Sequence, residues 1–289
     1  MASRLPPSLG ASNRRVRLLR ELDQRKHRVA SGLTLVEGVR LCETAAVAGA
    51  VFRMLLVTES IWLQLPPAIV DRVAASGTTE LWTVTPELMD RIAPTETPSG
   101  LLAAVEIPSY RLPSPPYGGD FLLLCLDDVA DPGNAGTLIR SADAAGAAGV
   151  LMLGGVDPWN PKVVRASMGS CFHLPVVVAP AAGRQDGAGA GAAEASIAAL
   201  KAAGVRIAVA HPRAEAALWD TDLRGPLALV LGNEAHGIGP TMLAATDVLV
   251  SIPNYGRAES LNVAQAGTVL LFEAARQRLM VESDGLERP

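Results

Sequence analysis

The chain has 289 residues, 49% of them hydrophobic, 19% charged and 4% aromatic, with a net charge of -4. This length and apolar content exclude a disordered chain and give room for one large domain or two ordinary ones, with cores built from Ala, Val and Leu. No run has the length of a membrane span, and three Cys without CxxC and four His without ligand spacing exclude a disulfide framework and a metal site, so a cytoplasmic protein with no membrane partner is expected.

In chain order, residues 1–30 carry eight Lys or Arg against Glu21 and Asp23, and are expected to form a basic arm with a helix over 14–29. On an otherwise acidic chain such an arm suits local phosphate contact through Arg14, Arg15 and Arg17; a solvated leader helix is the bland alternative. Residues 31–107 alternate strands (33–36, 52–57, 81–84, 101–105) with helices (37–48, 67–76, 86–92), which predicts a small α/β sandwich. The stretch 108–118, PSYRLPSPPYG, holds four prolines and reads as a linker. Over 119–289, apolar strands at 121–126, 150–153, 176–178, 206–210, 227–231 and 248–252 alternate with helices at 135–145, 161–168, 192–202, 241–245 and 262–280. Uniformly apolar strands between helices predict a parallel sheet covered on both faces, hence an α/β class. Residues 181–193, AAGRQDGAGAGAA, read as a loop.

Three polar clusters follow three of these strands, at the strand ends where open parallel sheets bind ligands. The first, DDVADPGNAGTLIRSADAAG (127–146), offers Asn134 or Gly136 as a helix start, and Arg140 on a helix otherwise apolar. Arg140 and Asp143 stand three apart, so a surface ion pair is the bland account of that arginine; a clamp on a phosphate or developing oxyanion is the functional one. The second, LVLGNEAHGIGP (229–240), has glycines spaced for close backbone approach, and Glu234 to cap a helix or meet an arginine. It matches neither GxGxxG nor the P-loop. The third, SIPNYGRAESLNVAQAG (251–267), offers Ser260 as an N-cap and leaves Asn262 with less structural need. The clusters lack a nucleophile–base pair and a carboxylate group for divalent metal. Group transfer from a bound organic donor is the chemistry left.

Together the clusters resemble the three motifs of the SpoU (TrmH) family of RNA 2'-O-ribose methyltransferases. Asn134 and Arg140 match the first motif, Glu234 the second, and Ser260 and Asn262 the third, with Arg165, Ser167, Gly169 and Pro175 resembling a further family turn. The resemblance covers about residues 120–280. LVEGVRLCETAAVAG (35–49) and TETPSGLLAAV (95–105) resemble, more weakly, the family's L30e/L7Ae-like RNA-binding domain.

The resemblance implies a SPOUT-type catalytic domain with a deep trefoil knot, S-adenosylmethionine as cofactor, and a homodimer. It implies a cofactor pocket at Ala210, Leu231, Gly232, Gly237, Ile252 and Leu261, and an RNA contact at Arg165. Arg140 would stabilise the ribose 2'-oxyanion, Asn134, Ser260 and Asn262 would hold the loops and ribose, and Glu234 would orient the arginine or a loop amide. The implied substrate is structured RNA, with 23S ribosomal RNA ahead of tRNA. A noncatalytic RNA-binding or ribosome-assembly protein on the same scaffold, and a nucleotide-dependent enzyme acting on a small metabolite, remain as rivals.

Overall fold

The computed structural model describes residues 5–179 and 190–283. The chain forms two compact units, one of Met1–Ser109 with Asp157–His173, the other of Tyr110–Val156 with Leu174–Pro289. In chain order the first unit contributes α1 (Arg14–Glu21), α2 (Arg25–Ser31), β1 (Leu33–Glu37), α3 (Val39–Val47), β2 (Phe52–Val57), α4 (Glu59–Trp62), α5 (Pro67–Ser76), β3 (Glu80–Thr83), α6 (Pro86–Ile92) and β4 (Leu101–Glu106). The second unit then supplies β5 (Leu122–Asp127), α7 (Pro132–Ala144) and β6 (Gly149–Met152). The short helix α8 (Pro161–Ala166) returns to the first unit. The chain continues in the second with β7 (Val176–Val178), α9 (Ala190–Ala202), β8 (Arg206–Ala210), β9 (Leu227–Gly232), α10 (Pro240–Ala245), β10 (Val248–Val250) and α11 (Val263–Ser283).

The first unit is built on a mixed four-stranded sheet in the order β1-β4-β2-β3. Alternate residues of its strands, Leu35, Met54, Leu56, Leu102 and Ala104, meet Val16, Leu19 and Leu22 from α1 and Leu88, Met89 and Ile92 from α6. The segment expected as an arm therefore belongs to this core. Its apolar residues recur at helical spacing, and Leu9 N also donates to Thr83 O at 2.8 Å along the sheet edge. The helix expected over 14–29 is two helices, because α1 stops at Leu22 and α2 restarts after Gln24, whose backbone is extended.

Asp157–His173, expected within the catalytic region, packs into this first unit. Arg28, only 2% exposed, donates through Nε to Asp157 at 3.0 Å and through a terminal nitrogen to Leu22 O at 2.8 Å. The Thr34 hydroxyl donates to Trp159 O at 2.7 Å. The helix expected over 161–168 ends at Ala166. Met168 and Gly169 then turn at φ 51° and 91°, and a Cβ at Gly169 would lie 2.6 Å from Thr44 Cγ2.

The second unit is a six-stranded sheet in the order β10-β8-β9-β5-β6-β7, with every pairing parallel. The α/β expectation holds, because these strands are apolar on both sides and both sides are covered. Leu123, Cys125, Ile207, Val209 and Val230 pack against Ile197 and Leu200 of α9 and Met242 of α10. On the other side α7 and α11 approach so closely that a Cβ at Gly267 would lie 2.3 Å from Leu138 Cδ2 and 2.4 Å from Leu231 Cδ1. The loop expected at 181–193 falls mainly outside the described residues, and its last positions open α9. Among the described residues no helix is long and apolar enough to cross a membrane, and no three His, Cys, Asp or Glu could hold a metal.

Candidate active site

Strand order reverses direction between β9 and β5, where Asp127 lies in register with Gly232. In open parallel sheets such a reversal leaves a crevice beyond the carboxyl ends of the strands. The polar clusters emerge there.

The N-cap of α7 is Asp131, whose side chain accepts from Asn134 N at 2.8 Å. The helix thus begins earlier than the expected Asn134 or Gly136. Asn134 falls inside the first turn with its side chain released from capping. On the other side of the crevice Asn262, not the expected Ser260, caps α11. Asn262 Oδ1 accepts from Ala264 N at 2.8 Å, within reach because it directly precedes the first helical residue.

These corrected caps bring the asparagines together. Asn262 Nδ2 donates to Asn134 Oδ1 at 3.0 Å, and Asn134 Nδ2 donates to Glu234 Oε1 at 2.9 Å. Glu234 also accepts from Ala130 N at 3.1 Å and Asp131 N at 3.2 Å. Its partners are an amide side chain and loop amides, and no arginine. Partial burial alone would push the Glu234 carboxyl up, but the hydrogen bonds from Asn134 and the nearby backbone outweigh it and hold the group below its ordinary 4.5. One relay thus links all three clusters.

Beside the relay lies a cavity of about 510 Å³. Ala210, Leu231, Gly232, Gly237, Ile252 and Leu261 all line it, and so do Glu234, Ser260 and Asn262. Asn233 N and Gly237 N each donate to the other's carbonyl, at 3.0 and 2.9 Å, and Asn233 Nδ2 donates to Asp128 O at 2.8 Å. This closed turn brings backbone against backbone: a Cβ at Gly232 would sit 2.5 Å from Gly237 O. Sequence reasoning missed His211 in the lining, since a lone histidine carries no spacing signal. Its Nδ1 accepts from Arg213 N at 3.2 Å.

Arg140 is exposed on α7 and is not part of the cavity lining. Its side chain makes no hydrogen bond or ion pair with a described residue, so the Arg140–Asp143 pair its spacing allowed does not form. The other arginines expected to contact RNA lie in the first unit. Arg14, Arg15 and Arg17 line a separate cavity of about 360 Å³ with Glu21 and Glu80. Arg15 is bound to Glu80 and lies 4.7 Å over the Trp82 ring, while Arg17 pairs with Glu21 at 3.1 Å. Arg165 sits half-buried in the last turn of α8.

Comparison with known proteins bears on what this crevice does. Residues 122–272 match the model of the SpoU rRNA Methylase family, and residues 13–103 match the MRM3-like substrate binding domain. The chain is 35% identical over 267 residues, 89% of its length and 88% of the relative's, to a 23S rRNA (uridine(2479)-2'-O)-methyltransferase of Streptomyces viridochromogenes. It is 30% identical, over 91% of its own length and 96% of the relative's, to a 23S rRNA (guanosine(2553)-2'-O)-methyltransferase of Bacillus subtilis. A crystal structure of the SpoU methyltransferase AviRb from Streptomyces viridochromogenes in complex with AdoMet superposes with a TM-score of 0.78 at 33% identity, covering 92% of this chain and 98% of that one.

Proposed function

Since this chain belongs to the SpoU rRNA methylase family, we propose that it transfers a methyl group from S-adenosylmethionine to a ribose 2'-hydroxyl of structured RNA, with 23S ribosomal RNA as the substrate. The observation that carries this reading is the Asn262–Asn134–Glu234 relay beside a cavity lined by all six residues expected to bind the cofactor.

The lining fits that cofactor. A volume of about 510 Å³ is in the range for a nucleoside-sized ligand. Leu231, Ile238, Val250, Ile252 and Leu261 offer an apolar bed, and the Gly232–Gly237 approach offers backbone groups without side chains in the way. When bound, S-adenosylmethionine supplies an electrophilic methyl group. The chain's own groups do the positioning. Glu234 fixes the Ala130–Asp131 amides and Asn134, Asn134 fixes Asn262, and Ser260 faces the same space. The attacking hydroxyl passes its proton to solvent as its oxygen takes the methyl group, and the permanently charged guanidinium of Arg140 stabilises the negative charge that develops on that oxygen.

Arg140 lies outside the cavity of its own subunit, so this role requires a homodimer in which it serves a composite site. The exposed stripe Gln265, Phe272, Arg276 and Leu279 on α11, the helix that packs against α7, supports this face as the dimer contact. We read the first unit, with its mixed sheet and cationic α1, as an L30e/L7Ae-like domain that holds the RNA through Arg14, Arg15, Arg17 and Arg165. The knot is read from the end of β10, where Ser251 N donates to Ala216 O and Leu218 N to Ser251 O at 2.9 and 2.8 Å, laying the C-terminal segment against the loop it would thread. Three buried free cysteines support a cytoplasmic setting.

The test is methyl transfer from labelled S-adenosylmethionine to 23S ribosomal RNA and to tRNA from cells lacking this gene, followed by mass-spectrometric mapping of 2'-O-methyl sites. Labelled 23S RNA supports the reading. Label in tRNA alone removes the ribosomal substrate, and calorimetry without cofactor binding removes the enzyme.

A further inference from the structure

The loop between β10 and α11 carries an aromatic side chain that folding does not account for. Tyr255 is 87% exposed, in a chain with only eleven aromatic residues. The loop is closed on itself. Asn254 Nδ2 donates to Glu259 O at 3.3 Å, and Asn254, Ser260 and Leu261 line the cavity on either side of the exposed stretch. A tyrosine held in water at the tip of such a loop beside an active site presents both ring faces to whatever enters.

The charge around it narrows what that is. Arg257 on the same loop is offset by Glu259, and Arg213, next to the cavity-lining His211 and Pro212, by Glu215, all four exposed. A balanced rim does not track phosphates, whereas a flat neutral ring takes a flat neutral partner. Proteins that recognise RNA away from its duplexes stack unpaired bases on such rings.

We propose that Tyr255 is a stacking platform for an unpaired nucleobase of the RNA, adjoining the ribose to be methylated. This rests on the methyltransferase reading of the same site. Tyr255 is a positioning residue: it orders the nucleotide and leaves the cofactor pocket unchanged.

The test is filter binding of deproteinised 23S ribosomal RNA from cells lacking this gene to the full-length wild type and to Tyr255→Ala, Tyr255→Leu, Tyr255→Phe and Tyr255→Trp. Loss of one stacked base weakens RNA binding about tenfold in the Ala and Leu variants. The Phe and Trp variants, which keep a flat ring, stay within about twofold of wild type. Leucine separates stacking from plain apolar contact. Unchanged RNA binding by Tyr255→Ala, or full binding by Tyr255→Leu, overturns the proposal, as does sedimentation showing that Tyr255→Ala dissociates a dimer that Tyr255→Phe retains. Calorimetry with S-adenosylmethionine tests the underlying reading separately. A wild type that binds no cofactor, yet loses RNA in the Ala variant, retains the stacking site and discards methyl transfer.

Discussion

Replacing Glu234 by Gln tests whether the relay organises the crevice. One carboxylate oxygen accepts from Asn134 Nδ2 and Asp131 N, the other from Ala130 N. An amide has one acceptor oxygen and one NH2, so in either orientation at least one of these donors faces another donor. A hydrogen bond to a charged group contributes about 1.5–3 kcal/mol where sheltered. Glu234 is exposed and water competes, so losing one bond and neutralising the rest costs about 1 kcal/mol. That lowers Tm by about 2–4 °C. Turnover falls further, by about 10- to 100-fold, because a small displacement of the α7 first turn misaligns groups that act by position. Thermal melting and single-turnover methyl transfer at saturating cofactor measure the two effects. Wild-type melting together with wild-type turnover would refute the reasoning.

Other consequences follow from the same geometry. Arg140→Ala should lower kcat about 10²- to 10³-fold, the loss seen when an oxyanion donor is removed. Calorimetry should show nearly unchanged cofactor affinity, because Arg140 lies outside the lining of its own cavity and, in the composite site, acts on the ribose oxygen; markedly weakened cofactor binding would contradict that division of roles. The Glu234 carboxyl is held below its ordinary 4.5, so the relay's contribution is complete above that value and disappears as pH falls through the lower folded value. A pH–rate profile should show this acid limb in the wild type and lose it in Glu234→Gln. Asp157→Asn strips the counter-charge from an arginine that is 2% exposed, and should destabilise the first unit by about 3–5 kcal/mol in denaturant unfolding.

The parts legible in the sequence were those set by local chemistry. The strands of the second unit are near-continuous apolar runs such as FLLLCL and LALVL, which fit a sheet covered on both faces. The polar clusters follow from the same rule, since charged and amide side chains cannot remain in such a sheet. The caps were misread because Asp131, Asn134, Ser260 and Asn262 are all competent caps, and only the backbone path decides which one reaches an orphan N–H. The break in the N-terminal helix was hidden because Leu22 continues the apolar spacing while packing into the core beyond the helix end. The short α4 has no caps or period long enough to register. The Arg140–Asp143 spacing permitted a pair that does not form, because solvated i,i+3 charges at a helix surface gain little by meeting. The placement of Asp157–His173 was beyond reach. Nothing local in DPWNPKVVRASMGSCFH says that it packs with residues more than a hundred positions earlier.

That placement has a consequence for synthesis. The guanidinium of Arg28 finds its carboxylate 129 residues downstream. At translation rates of about 5–20 residues per second, the nascent first unit waits roughly ten seconds for this partner. Until then it exposes the Thr34 hydroxyl and the unneutralised arginine that the later segment satisfies. The N-terminal unit thus precedes its neighbour in the chain and cannot finish folding before part of that neighbour has left the ribosome.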